Sequence, residues 1–507
     1  MNLTQPLHKA LRERPATLAS VSGSHRQSFA QLYSRVTRLA AGLRALGVQK
    51  GTRIGMLGLN SDHYLEYLYG TFWAGGAVNP VNIRWTAHEI AFALDDCDTR
   101  IMIVDDAYLA LIPDIRRLSK SLHTVIHVGS LPAPPHSIPY EELLDAHRGI
   151  DDGGCGGTDL AAVLYTGGTT GSPKGVMLSH DNLVLNALGG LSVSFRGFSP
   201  VALHCAPLFH VAGISFVVQL GLRMGTQVFM PSFDISLAMQ LIQIERVTET
   251  FMVPTMIHRM VNAPDLRDFD LSSLKLLLYG AAPIDVTLQE RVRSQLPHTE
   301  LIQLYGQTEA GPVVSALNPE DHHAGPGSKL ESAGRPVAAT EVRIVDAEDR
   351  DVHSGQVGEV CVRGPGIMLG YINQPELTST TLRGGWLHSG DVGYFDDDGF
   401  LFIVDRIKDM IITGGENVYS AEVEKALLRH PAVSQCAVIG VPEEQWGERV
   451  HALVVLHPGV TIEATALIEH CRQWIAGYKC PRSIEFRGEL PTSAAGKLLK
   501  HLMRSPR

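Results

Sequence analysis

Two rhythms of apolar residues alternate along the first two thirds of the chain. Short apolar runs predict strands over residues 53–57, 77–81, 100–104 and 160–164. Between them apolar residues return every three or four positions, as in Leu32, Val36, Leu39 and Leu43. This spacing predicts helices over 7–14, 28–46, 61–74 and 86–94. Pro15 ends the first of these helices and Gly47 follows the second. The alternation then returns without repeating the sequence. Strands are predicted over 201–207, 227–230, 250–253, 274–279 and 300–304, and helices over 179–191 and 214–222. The helix over 214–222 is apolar on nearly every side and therefore belongs inside. Alternating strands and helices predict an α/β fold whose largely parallel sheets are covered on both faces.

The pattern changes after Gly334-Arg335-Pro336. Period-two alternation over 341–345, 359–363 and 386–404, with a turn at Asp396-Asp397-Asp398-Gly399, predicts a small antiparallel β subdomain over 336–404. The run Asp405-Arg406-Ile407-Lys408-Asp409 ends it. Beyond lies a helix over 421–429, capped by Ser420 and stopped by Pro431. Strands over 433–441, 450–456 and 483–486 and a helix over 464–476 complete the pattern. That is enough apolar sequence for a separate α+β core. The expected division is an N-terminal domain over 1–404, a hinge over 405–408 and a C-terminal domain over 409–507.

Composition narrows the class. A chain of 507 residues, 45% hydrophobic and 19% charged, fits a globular protein of two to four domains. A net charge of −10 excludes a general affinity for nucleic acid or anionic membrane. The seven cysteines form no C-x-x-C pair, which fits a reducing cytoplasm rather than a zinc site or a disulfide framework. The N-terminus lacks the apolar core of a signal peptide, no apolar run reaches the ~18 residues of a membrane span, and Ser505-Pro506-Arg507 is no peroxisomal address. Oligomeric state is not legible; a homodimer is one option.

The candidate chemistry concentrates between Tyr165 and Gly175, in YTGGTTGSPKG. Backbone N–H groups of such a loop can converge on one concavity, because glycine tolerates the φ values required. Thr166, Thr169, Thr170 and Ser172 add hydroxyl donors, and Lys174 adds positive charge. A polyphosphate is the ligand that uses all of these. A plain surface loop can share the Gly/Ser/Thr content; the strand before the loop and the lysine at its end favour the anion. Two strand ends carry further candidates, Gly280-Ala281-Ala282-Pro283 and Tyr305-Gly306-Gln307-Thr308-Glu309. Open α/β sheets bind ligands at such ends. Small residues at 280–282 let a flat ring approach the backbone.

The loop resembles the phosphate loop of the adenylate-forming superfamily, which includes acyl- and aryl-CoA synthetases, peptide-synthetase adenylation domains and firefly luciferase. Matching segments recur in the family's order as far as Lys497, over most of the chain. The resemblance implies a large N-terminal domain of β/α sheets with a small β-barrel-like subdomain, hinged to a mobile α+β C-terminal domain. It implies that Thr166, Gly167, Gly168, Thr169, Thr170, Ser172 and Lys174 hold the phosphates of ATP. Gly280, Ala281, Ala282, Tyr305, Gly306 and Gln307 would surround the adenine, Thr308 would reach the α-phosphate and Glu309 would hold Mg2+. Asp391 would accept hydrogen bonds from both ribose hydroxyls, Arg406 would reach the ribose, and Lys408 would be the pivot between domains. Lys497 would bridge the substrate carboxylate and the α-phosphate. A carboxylic acid with a pKa of ~4 is already ionised at neutral pH, so the barrier is the approach of two anions, and fixed positive charge lowers it.

The same resemblance places an acyl pocket at His210, Val211, Gly213, Phe216, Met252, Val253, Gly306, Pro312 and Val313. It places CoA against Arg84, Gly414, Gly415, Glu416, Trp446, Tyr478 and Lys479. Cys480 stands where several relatives carry a basic residue. The expected reaction is ATP-dependent activation of a small-molecule carboxylic acid to its acyl-adenylate, then thioester formation with CoA, with release of AMP and pyrophosphate. The pocket's lack of ionisable groups apart from His210 favours a neutral, apolar tail, in a fatty acid or an arylcarboxylate. Phe233-Asp234-Ile235-Ser236 looks like a segment of amino-acid-activating relatives but lies too far downstream of His210. Loading of a carrier-protein phosphopantetheine is the alternative within the family, and a luciferase-like oxygenase a weaker one. A non-catalytic acyl-adenylate-binding protein is the alternative outside catalysis; intact Thr308, Glu309, Asp391 and Lys497 speak against it.

Overall fold

The computed structural model describes residues 1–166, 173–282, 284–323, 325, 327–413, 416–443, 446–492 and 498–503. The chain divides into two compact units, Met1–Val342 with Val362–Leu387, and Arg343–Cys361 with His388–Arg507.

The first unit is built on two sheets. In the nine-stranded sheet, six strands run parallel in the order Glu300–Tyr305, Leu276–Gly280, Glu249–Met252, Val201–His204, Thr226–Phe229, Leu18–Ser22. Short antiparallel strands close both ends, Ser315–Leu317 and Arg335–Pro336 on one side and His25–Ser28 on the other. The eight-stranded sheet has a parallel core of Leu160–Thr166, Ala77–Pro80, Arg53–Leu57, Ile101–Asp105, Thr124–Val128 and Ser137–Pro139. Strands such as Glu249–Met252 and Leu276–Gly280 are buried at every position, as parallel strands covered on both faces must be. Helix starts coincide with the polar punctuation. Ser28, Thr86 and Ser179 each form a reciprocal capping box with the residue three positions on, and Ser61, Asp234 and Asp285 cap through their side chains. The helix Val211–Leu222 is buried almost throughout, in line with its apolar circumference.

One strand was not anticipated and one expectation needs correction. Lys174–Ser179 is a strand, antiparallel to Leu160–Thr166, with Thr166 opposite Lys174. Its alternation is masked by valine, methionine and leucine in succession. Ser420, expected as a helix cap, is not one. It is the first residue of the helix Ser420–Leu428, and its hydroxyl donates to Asp405 Oδ2 at 2.7 Å. The same carboxylate oxygen accepts from the Ala421 N–H, so the helix start is held by a residue fifteen positions away.

The second unit holds most of a four-stranded sheet ordered Glu341–Val345, Gly358–Arg363, Leu387–Phe395, Leu401–Arg406. It also holds a sheet in which Gly447–Leu456 pairs with Val433–Glu443 and Ser483–Phe486, with Ile411–Thr413 and Glu416–Val418 beyond. Ser420–Leu428 and Ala464–Arg472 pack on that sheet through Val423, Leu427, Leu467 and Cys471. Half-buried Glu424 is paired with Lys500 Nζ at 2.7 Å, and that ammonium also donates to Ser420 Oγ.

Three buried histidines in the first unit, His180, His204 and His322, have their pKa values lowered by burial to about 4. His322 shows why it stays neutral: Nδ1 donates to the Asn318 carbonyl at 2.7 Å, leaving Nε2 to accept from the Tyr279 hydroxyl at 2.9 Å. An unfolded histidine titrates near ~6.5, so between that value and the folded one the unfolded chain binds more protons. These groups therefore contribute stability that is complete above the unfolded value and is lost as pH falls towards the folded one. The urea midpoint should fall between pH 7 and pH 5, a window in which ordinary carboxylates stay ionised. A midpoint constant across that window would contradict the assignment.

Candidate active site

Four neighbouring parallel strands of the nine-stranded sheet end at one edge. After Val201–His204 comes the turn to His210; after Glu249–Met252 comes Val253; Leu276–Gly280 leads into Ala281 and Ala282; Glu300–Tyr305 leads into Gly306 to Glu309. Tyr305 to Glu309 are half-buried. Two glycines here are enforced by close backbone approach. A Cβ on Gly280 would stand 2.2 Å from the Leu304 carbonyl oxygen, and one on Gly306 would stand 1.7 Å from that of Pro312.

Glu309 lies in the short helical turn Thr308–Ala310, ended by Gly311 in the left-handed region at φ 84°. Asn186, buried on the helix His180–Ser194, clamps the end of this turn to the segment beyond it. Its Nδ2 donates to the carbonyls of Ala310 at 3.0 Å and Val313 at 2.8 Å, and its Oδ1 accepts from the Val313 N–H at 3.0 Å. The carboxylate of Glu309 accepts at Oε1 from the Tyr371 hydroxyl at 2.9 Å. Tyr371 pairs with Val176 of the eight-stranded sheet, and the Lys174 ammonium sits 5.6 Å from its ring centre. Burial first, and then the Glu309 charge, push the Tyr371 hydroxyl well above its usual pKa, so it remains a donor. Lys174, Tyr371 and Glu309 thus form one contiguous group drawn from both sheets. Tyr165, at the start of the glycine-rich stretch, donates to Asp96 Oδ2 at 2.7 Å and has its ring edge against Trp85. Trp85 follows exposed Arg84.

Of the acyl-pocket candidates, Phe216, Val253 and Val313 join one buried apolar cluster with Ala206, Phe251 and Ile302. Met252 does not. It belongs to the cluster containing Leu203, Met239 and Tyr279, because successive strand residues face opposite sides of the sheet. Gly213 packs against the Pro207 carbonyl, Val211 is buried and Pro312 is half-buried. His210 precedes the helix Val211–Leu222 with no hydrogen-bond partner at Nε2 among the described residues. Burial, aided by the charge of Arg84, lowers its pKa to about 4 and keeps it neutral.

Within the second unit, Asp391 is opposite Arg406, whose Nε lies 3.1 Å from its Oδ1. Lys408 is exposed in the short turn Ile407–Asp409. Glu416 is exposed; Tyr478 is exposed beside Lys479, whose ammonium is tied to Glu422 at 2.8 Å. Cys480 is buried in the unit's core, while Arg482, two residues on, lies 4.5 Å from the ring centre of Trp446. Gly167, Gly168, Thr169, Thr170, Ser172, Gly414, Gly415 and Lys497 lie outside the described residues. Sequence reasoning missed Tyr371, Asn186 and Arg482. Asn186 did leave a signal: with Asn182 it forms an i, i+4 amide pair on a helix that is mostly apolar from Leu183 to Leu191.

Residues 7–372 match the family described as AMP-binding enzyme, and residues 422–497 match the AMP-binding enzyme C-terminal domain. A feruloyl-CoA synthase from Amycolatopsis sp is 39% identical over 98% of this chain and 97% of its own length. A fatty acid–[acyl-carrier-protein] ligase, ScoC of Streptomyces coeruleorubidus, is 34% identical over 97% of this chain and 94% of its own. Among solved structures, the anthranilate CoA ligase AuaEII in complex with anthranoyl-AMP superposes with a TM-score of 0.90 at 27% identity, over 99% of this chain and 96% of that one. With two such matches along its length and relatives of this kind over nearly all of it, the chain belongs to the AMP-binding enzyme family, as an AMP-forming acid–thiol ligase.

Proposed function

We propose that this ligase activates an arylcarboxylate or another acid with a neutral tail, and passes the acyl group to CoA. The observation that carries this reading is the buried apolar cluster of Phe216, Val253 and Val313, with His210, held neutral by burial, at the same edge of the sheet. A charged tail buried there without a partner would cost several kcal/mol, on the order of a thousandfold in affinity. The aromatic acid named in the feruloyl-CoA synthase relative supports an aryl substrate; the ScoC relative supports a fatty acid and a carrier protein as the second reading.

ATP would lie along the carboxyl edge of the nine-stranded sheet, with adenine by Gly280 to Ala282 and Tyr305, and with phosphates by Thr166, Lys174 and Thr308. Asp391 and Arg406 would take the ribose. The donor set at Glu309 fits magnesium, since a half-buried carboxylate beside phosphate oxygens and water is its usual protein ligand. Bound there, the ion would neutralise phosphate charge. Tyr371 would hold Glu309 in place, and Lys497 would supply the positive charge that lets the two anions meet. Glu416, Trp446, Tyr478 and Lys479 remain the proposed CoA contacts. The seven buried, unbridged cysteines support a cytoplasmic setting.

Exchange of pyrophosphate into ATP should be supported by cinnamates and benzoates, and by medium-chain fatty acids, but not by malonate or a free amino acid. Efficient exchange with either of the last two would sink the apolar-tail reading. Thioester yield with CoA against a phosphopantetheinylated carrier then separates the two acceptors.

Lys497→Ala should cripple adenylation and spare transfer from supplied acyl-adenylate to CoA. Equal damage in single-turnover assays of both half-reactions would contradict that division of labour. Lys408 lies in the short turn Ile407–Asp409, and proline there would fix φ at about −65° and remove the N–H. We take the adenylating conformer to be the one that this φ suits, so Lys408→Pro should leave adenylate formation near normal and slow thioester formation, whereas Lys408→Ala, which leaves φ free, should be mild. If neither half-reaction slows in the proline variant, the pivot is elsewhere.

A further inference from the structure

We infer that Glu359 is a positioning residue for the nucleotide: its carboxylate fixes the segment His388 to Asp391 so that Asp391 faces the ribose hydroxyls. The inference rests on the ribose role proposed for Asp391. Glu359 Oε2 accepts from His388 Nδ1 at 2.8 Å, and Oε1 accepts from the Gly390 N–H at 3.1 Å. One carboxylate therefore holds both flanks of Ser389. Ser389 in turn donates from Oγ to the Val360 carbonyl at 2.6 Å and accepts from the Asp391 N–H at 3.0 Å.

This lacing answers a local need. Gly390 is in the left-handed region at φ 71°, so the chain leaves regular strand geometry one residue before Asp391. Asp391 is only 4% exposed, so its carboxylate has little freedom to seek a ligand by moving. Its direction is set by the backbone that Glu359 and Ser389 tie down, together with Arg406, whose Nε lies 3.1 Å from Oδ1. Charge-assisted bonds of this kind are the strong ones, and a half-buried carboxylate spanning an imidazole and an amide has both oxygens engaged. Cys361 completes the surroundings, with Sγ 3.3 Å from His388 Nδ1. The donor atoms of Glu359, Cys361 and His388 lie within 4.8 Å of one another, a grouping that could also take a cation. The hydrogen bond to Glu359 puts a proton on His388 Nδ1, which removes that nitrogen as a ligand.

The role shows in which part of ATP the enzyme reads. The experiment measures kcat/KM for pyrophosphate exchange with ATP and with 3′-deoxy-ATP, in the unaltered enzyme, Glu359→Ala, Glu359→Gln and Asp391→Ala. A hydrogen bond between a charged acceptor and a hydroxyl is worth roughly tenfold or more. The unaltered enzyme should prefer ATP by at least that factor. Glu359→Ala should lose the preference by lowering the rate with ATP and sparing the deoxy analogue, as Asp391→Ala does. Glu359→Gln, which keeps an acceptor for the Gly390 amide, should restore most of it. Equal loss with both nucleotides in Glu359→Ala would mean a merely structural role and would overturn the inference. A preference lost in Asp391→Ala but kept in Glu359→Ala would overturn this inference alone. A preference kept in Asp391→Ala would overturn the ribose reading itself. If Glu359→Ala does not fold, Glu359→Asp, one methylene shorter, is read by the same ratio and the same criteria.

Discussion

A parallel strand covered on both faces has no surface on which to do chemistry. Glu249–Met252 and Leu276–Gly280 are buried at every residue, and their side chains are occupied by packing on one side or the other. Groups that must meet solvent and ligand can stand only where the strands stop. This constraint gathers Tyr305 to Glu309, Gly280 to Ala282, Val253 and His210 at one edge, though they are scattered over a hundred residues of sequence. It also explains the demand for glycine at 280 and 306, where backbone passes against backbone. The second sheet then contributes across this edge, through Tyr371 on Glu309 and Lys174 on Tyr371.

Much of the fold was legible because its elements are locally consistent. The strand expected over 53–57 is Arg53–Leu57, and the helix expected over 61–74 is Asp62–Trp73 with Ser61 as its cap. Local signals failed where a distant partner decides. Ser420 has a cap's residue type, yet Asp405 holds that helix start. Met252 shares an apolar identity with Val253 and faces the other way, which only the register of the strand determines. Lys174–Ser179 was not anticipated as a strand because its pairing partner, not its own alternation, makes it one. Tyr371 was illegible for a related reason: its partner Glu309 lies 62 positions away in sequence, and only the fold brings the two together.

The second unit shows how a short polar chain can connect features that sequence keeps apart. Asp405 closes the strand Leu401–Arg406 and also starts the helix Ser420–Leu428 through Ser420 and Ala421. Lys500, three residues beyond Lys497, reaches the same Ser420 and half-buried Glu424. The end of the strand Leu401–Arg406, the helix Ser420–Leu428 and the segment around Lys500 therefore share one hydrogen-bonded cluster. Displacing any one of them would strand a buried charge, which favours moving them together.

The cysteines acquire a meaning beyond packing. All seven are buried and unbridged, and burial raises the thiols of Cys205 and Cys471 to about 12. An acyl-adenylate is an acylating agent, and thiolate is the nucleophile it meets most readily among protein groups. A protein that holds such an intermediate runs the hazard of labelling itself. By keeping its own sulfurs buried and out of reach, this chain leaves the incoming thiol without an internal competitor.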